Sequence, residues 1–352
     1  MPFRFTGALA PAVVAAVLLA GCVHARERPL PRGMRTTLFA GGGMGGDGER
    51  AAQARLLQPF AVAIDPAGSG AYIAEMGNRI RRVDRSGVIG TVLGPGAAGA
   101  AGEVRLDQPH HLVFAPGGGV LFVGDTFNRR ILRLDVGQGG AAPAPVAAGG
   151  GFGKTFCLAV DAHGQRLLVA DTDHKQVRAV DLATMAVTVV AGNGKAGKPD
   201  EGARAIEAPL VDPRAIAVDA AGTLYILERN GHALRAVDAA GRIHTIAGTG
   251  QPGYAGDGGD AAAATFNGPK HLTVDPEGNV LVADTENHVI RKVLVRERRI
   301  VRVAGTGLPG GNESLPAPAL EVSLRRPHGV LVGPDGTIYV ADSWNDRVLA
   351  LE

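Results

Sequence analysis

Short apolar runs alternate with tight polar turns along most of the chain. The cleanest copy starts at Lys270-His271-Leu272-Thr273-Val274 and meets Asp275-Pro276-Glu277-Gly278. Proline presets that turn and glycine accepts positive φ. Val280-Leu281-Val282-Ala283-Asp284 follows, then Thr285-Glu286-Asn287, then Val289-Ile290-Arg291-Lys292-Val293. The pattern predicts strand, turn, strand, turn, strand.

Six copies of this unit are present. Their first strands begin at Pro59-Phe60, Pro109-His110, Thr155-Phe156, Pro213-Arg214, Pro269-Lys270 and Pro327-His328. Successive starts lie about 46 to 58 residues apart, the range of a four-stranded propeller blade plus its linker. Second strands end on an acid: Glu75, Asp125, Asp171, Glu228, Asp284 and Asp342. Fourth strands end in Ala-Gly, as in Val187-Thr188-Val189-Val190-Ala191-Gly192 and Ile243-His244-Thr245-Ile246-Ala247-Gly248. The sixth unit stops at its third strand, Arg347-Val348-Leu349-Ala350-Leu351. Arg35-Thr36-Thr37-Leu38-Phe39-Ala40-Gly41 carries the fourth-strand pattern and precedes the first unit. Ring closure by this N-terminal strand is therefore predicted, since an uncovered edge invites unwanted pairing. The fold class is all-β, with four-stranded antiparallel blades.

The pattern Pro-x-Gly-apolar, then Tyr-Val-Ala-Asp, then Asn-His-Val resembles the NHL repeat, with Asn287-His288-Val289 and Asn128-Arg129-Arg130-Ile131 nearest to its namesake triad. The resemblance covers residues 34–352 and implies a single six-bladed β-propeller. His174-Lys175 in the third unit and Asn230-Gly231-His232 in the fourth depart from the triad. Enzymes share this architecture, including peptidyl-hydroxyglycine amidating lyases and gluconolactonase-type propellers. The lyases hold zinc with three histidines from alternate blades in Pro-His contexts. His110 and His328 match that context on blades two and six, but blade four presents Arg214, which cannot ligate zinc.

Strands alternate in direction within a blade, so the acid-ended turns and the interblade loops share one face. The position after each proline, or after Thr155, then forms a ring round the channel mouth: Phe60, His110, Phe156, Arg214, Lys270 and His328, with His111 and His271 beside it. Three readings stay open. The residues are solvated loop positions; or they receive a carboxylate, phosphate or acidic peptide on Arg214 and Lys270; or the histidines hold zinc or calcium, with His110 and His328 as the metal candidates. The strand-end acids, repeated in every unit, read as turn caps rather than calcium ligands. The loop Gly248-Thr249-Gly250-Gln251-Pro252-Gly253 contains a Gly-x-Gly-x-x-Gly spacing but opens no long helix, so it is no nucleotide fingerprint. A short helix over residues 261–266 is expected after it, as an interblade connection.

The repeats leave residues 1–33 unexplained. Arg4 precedes an apolar run over residues 6–20 that ends in Leu19-Ala20-Gly21-Cys22. This resembles a bacterial lipobox, which implies a signal peptide over 1–22, acylation of Cys22 and a tether over 23–33. Val23 after the cysteine, where aspartate would suggest inner-membrane retention, favours the outer membrane. Cys157 is then unpaired and reads as a small buried hydrophobe.

The chain has 352 residues and 52 glycines, in keeping with many tight turns. A net charge of +2, with basic residues scattered, gives no footprint for nucleic acid. The sequence therefore reads as a lipid-anchored, periplasm-facing monomeric propeller in the cell envelope. It acts as a binding module for a protein, peptide or small anionic ligand; an NHL-type lyase or hydrolase with a histidine site at the mouth is the alternative.

Overall fold

The computed structural model describes residues 33–137 and 142–352. Cys22, the leader and the tether up to residue 32 lie outside the described residues.

Six antiparallel sheets follow one another along the chain. Blade 1 is Pro59–Ile64, Ala71–Glu75, Arg79–Val83 and Ile89–Leu93, in that spatial order. Blades 2 to 5 repeat the arrangement from Pro109, Thr155, Pro213 and His271. Blade 6 holds Gly329–Val332, Ile338–Asp342 and Arg347–Leu351, and its next strand is Arg35–Gly41 from the other end of the chain. The N-terminal strand thus closes the ring. A two-residue strand, Ala317–Pro318, covers its outer side.

Each sheet buries both faces against neighbouring blades. This is why second strands such as Ala71–Glu75 and Val280–Asp284 are buried at every position and read as unbroken apolar runs. The packing is small against branched: Ala215, Ile226 and Leu234 meet Leu272, Val282 and Phe266 in one continuous cluster.

The acids at the second-strand ends are caps, all six of them buried. Each accepts a backbone N–H from the interblade loop before it: Leu57 to Glu75, Asp107 to Asp125, Gly153 to Asp171, Val211 to Glu228, Asn267 to Asp284 and Arg325 to Asp342. The hydroxyl after the acid ties one blade to the next. Thr126 donates to the Thr155 carbonyl, Thr172 to Pro213, Thr285 to Pro327 and Ser343 to Pro59. The Asn of the triad donates to the same acid in Asn128, Asn287 and Asn345, and His174 takes that place in blade 3.

The glycine loop before blade 5 is part of this scaffold. Arg291, fully buried, donates to Asp257 at 2.9 Å, to the Thr265 and Ala255 carbonyls, and to Asp284 at 3.3 Å. The expected helix over 261–266 is a single 3-10 turn, Ala261–Ala263, capped by Asp260 accepting from the Ala262 N–H. Phe266 leaves the helix to fill the core behind it. Burial outweighs the pairing with Arg291 and holds Asp284 up at about 6. Removing the arginine would strand a buried acid, so Arg291→Ala is expected to cost about 3–5 kcal/mol in urea unfolding. A loss below about 1 kcal/mol, the range of a surface pair, would contradict this account.

Candidate functional site

Four of the six mouth positions are placed by a local irregularity. Strand register shifts between Pro59 and Ala61, Pro109 and His111, Thr155 and Cys157, and Pro213 and Ala215. Phe60, His110, Phe156 and Arg214 are thus the bulged residues, and a bulge re-aims the side chain it carries. Lys270 and His328 sit just before the first strands of blades 5 and 6, their N–H groups held by Ala283 and Ala341.

These side chains pack in a continuous series of contacts from Arg214 round to Lys270. Phe60 stacks on His110 with centroids 4.3 Å apart and meets His328 edge-on at 4.8 Å. His110 meets Phe156 at 4.8 Å, and the Arg214 guanidinium lies 3.5 Å from the Phe156 ring centre. Lys270 Nζ is 3.1 Å from His328 Nε2 and 3.1 Å from Glu286. They are not solvated loop residues: Phe60, His110 and Arg214 are buried, and Lys270, Phe156 and His328 partly buried.

Backbone carbonyls set the imidazole tautomers here. Gln108 and Arg326 adopt positive φ and turn their carbonyls to the rings. His110 Nδ1 donates to Gln108 at 2.7 Å and His328 Nδ1 to Arg326 at 2.8 Å. The Nε2 atoms therefore carry lone pairs, and that of His328 accepts from Lys270. Burial first, then Arg214 and Lys270, holds His110 well below the usual imidazole range. Burial and then Lys270 do the same to His328. Burial lowers Lys270 to about 8 against the opposing pull of Glu286. Burial, then Arg229, lowers Arg214 to about 9.

The charge balance is lopsided. Lys270 has Glu286, but among the described residues Arg214, 5% exposed, forms no ion pair; the Asp212 carboxylate bears on it from a distance but is bound to Arg229 at 2.9 Å. At neutral pH both stay protonated and the three nearest imidazoles, His110, His328 and His271, stay neutral. The mouth is a buried, partly uncompensated cationic centre.

Phe60 touches both His110 and His328, stacked on the first and edge-on to the second. Among the described residues, the one grouping of ligating atoms close enough for a metal is His111, Cys157 and His271. Cys157 is buried as expected, yet it neighbours two imidazoles, a placement the sequence reading missed. The signal was present in the aligned repeats, because all three residues occupy the position after the mouth residue.

An outer rim also escaped the sequence reading. Phe127 and Trp344, 39% and 41% exposed, stand at equivalent turns of blades 2 and 6. Glu286 holds both Lys270 and Arg326, and Arg326 lies over Trp344 at 4.4 Å.

Comparison with known proteins gives a consistent result. The teneurin NHL domain family profile matches residues 95–253, and the NHL repeat profile matches 266–292 and 324–351. Teneurin-3 of Danio rerio is 28% identical over 272 residues, covering 70% of this chain and 8% of that protein. NHL repeat-containing protein 2 of Gallus gallus is 32% identical over 153 residues, 41% of this chain and 20% of that one. The chain thus spans a small part of the curated relatives' length. A solved structure described as an auxiliary nutrient binding protein, from Bacteroides ovatus, superposes with a TM-score of 0.70 at 16% identity, over 91% of this chain and 76% of that one.

Proposed function

With the chain an NHL-repeat six-bladed β-propeller, we propose that it is a binding module that takes the anionic end of a ligand at the channel mouth. The observation that carries this reading is Arg214: a buried guanidinium, 3.5 Å from the Phe156 ring centre, that forms no ion pair among the described residues. Leaving such a charge unpaired is costly, and the cost is recovered when an anion arrives. Lys270 adds a second cation. Phe127 and Trp344, with Lys154 and Arg325 beside them, offer a stacking and cationic rim for the ligand's body. An acidic peptide or a small carboxylate fits this chemistry. Acylation at Cys22 would hold the module at the outer membrane, facing the periplasm. The solved propeller described as nutrient-binding lends support by analogy of fold alone.

Arg214→Leu is the test. Titration calorimetry with formate, inorganic phosphate and a glutamate-rich hexapeptide is expected to show binding of at least one probe. The variant should lose at least about tenfold in affinity, as for a desolvated charge-assisted bond. The same variant should be more stable, by about 1–3 kcal/mol, because an unpaired buried charge has gone. A variant that binds normally, or wild-type protein blind to all three probes, would sink the proposal.

One observation favours a second reading. The Nε2 lone pair of His110 has no partner among the described residues, so it could act as a general base in an NHL-type lyase or hydrolase.

A further inference from the structure

One layer below the mouth, the inner strands contribute Ala61, His111, Cys157, Ala215, His271 and Gly329, one from each blade. The three polar members share a structural task. The Leu158 N–H donates to His111 Nδ1 at 3.2 Å, Ile216 N–H to Cys157 Sγ at 3.3 Å, and Val330 N–H to His271 Nδ1 at 3.4 Å. Each covers an inner-edge N–H of the next blade.

That task fixes the protons. A ring nitrogen that accepts an N–H presents its lone pair there, so in a neutral imidazole the hydrogen sits on the other nitrogen. Burial keeps both rings neutral, His271 at about 4 and His111 well below its usual value. Their Nε2 atoms are therefore donors, opposite in sense to those of His110 and His328 above. The two rings lie 4.8 Å apart between centroids. His271 is 8% exposed and its Nε2 is buried with no partner. His111 Nε2 makes no hydrogen bond among the described residues.

Two histidines and a thiol also suggest a soft metal ion. The hydrogen bonds argue against it. A metal on Nε2 needs the proton at Nδ1, where a backbone N–H already points in both rings. The Arg214 charge also bears on both His271 and Cys157. Donors without acceptors, under a cation that forms no ion pair among the described residues, call for a negative group.

We propose that His111 and His271 donate Nε2–H bonds to a small monoanion held in the channel beneath Arg214. It is either the carboxylate end of a bound ligand or a free inorganic anion. This rests on the reading of Arg214 as an anion receptor and extends it inward, with Ala61, Ala215 and Gly329 contributing nothing larger than a methyl to the layer.

Formate and bromide serve as probes for calorimetry on the full chain. His271→Leu should weaken both at least about tenfold, the loss expected for a buried donor that meets a charge. His271→Gln keeps an acceptor for the Val330 N–H and a donor near the Nε2 position, and should stay within about threefold. Equal losses in the two variants, or none in Leu, overturn the inference. So does imidazole nitrogen NMR that finds the proton on Nδ1, or stoichiometric zinc or copper that disappears in Cys157→Ala. In bromide-soaked crystals, a peak beside Arg214 but away from the Nε2 atoms overturns this site and leaves the mouth reading standing. No peak at either place removes both. Longer carboxylates that bind better than formate identify a ligand's end as the occupant; formate and bromide binding without them identifies a free anion.

Discussion

A chain that begins at Gly42 is expected to lose most or all of its folding stability, whereas one that begins at Gly33 keeps it. The strand removed, Arg35–Gly41, pairs along its length with Arg347–Leu351, at Thr36 to Leu351, Thr37 to Ala350, Leu38 to Leu349 and Ala40 to Val348. It also carries core. Ala40 packs with Val62, Ile73 and Val348 across the join of blades 6 and 1, and Phe39 meets Tyr339 edge-on at 5.0 Å. Roughly five ladder bonds at about 1 kcal/mol each, plus this burial, approach the whole stability of a typical domain, about 5–15 kcal/mol. The loss also exposes Arg347–Leu351 as a bare apolar edge, which favours aggregation. Circular dichroism melting should show a fall of at least about 10 °C, or no transition at all. A melting point within about 3 °C of the longer chain would mean the ring does not depend on its closing strand.

The strands were legible because each repeat unit states its own ends. Arg35–Gly41 and Arg79–Val83 begin and end where the apolar pattern does. The capping acids were legible for the same reason, as a residue needed once per blade announces itself by recurrence. What stayed hidden depends on three dimensions. The mouth residues could be aligned, but their burial could not be seen, because it follows from bulges that swing four of them inward and from aromatic rings that seal the gaps. The 3-10 turn at Ala261–Ala263 stops short of a helix because Phe266 is drawn into the core, a tertiary pull that local propensity does not record. Cys157 read as a hydrophobe because its partners, His111 and His271, come from other units. The sense of each imidazole could not be read at all. It hangs on whether a carbonyl or an N–H faces Nδ1, and the sequence writes both kinds of histidine with the same letter.

Lowering the pH from 7 to 5 is expected to remove most of the protein's stability. Four histidines, His110, His111, His271 and His328, are held neutral in the fold by burial, with Arg214 and Lys270 adding repulsion at His110 and His328 and Arg214 at His271. Unfolded, each titrates near its ordinary value of about 6.5. Above that pH neither state binds the proton and the groups contribute no slope. Below it the unfolded chain takes up protons that the fold refuses, so stability falls with pH. From pH 7 to 5 each histidine costs about 2 kcal/mol, and the four together about 8. Asp284, raised by burial to about 6, and Asp342, also raised by burial, work in the opposite sense and soften the fall. Above pH 8 stability should climb again, because Lys270, lowered by burial to about 8, sheds its proton in the fold before it does in the unfolded chain. Acid titration followed by near-ultraviolet circular dichroism should give a cooperative transition near pH 5, within about a unit, and uptake of at least about two protons on unfolding at pH 5.5. His271→Gln, whose amide does not titrate, should move the midpoint down. A protein that keeps its fold below pH 4, or that unfolds with no net proton uptake at pH 5.5, would show that these rings are charged in the channel, and the neutral, tautomer-sorted histidines could not then act as the donors and acceptors assigned to them.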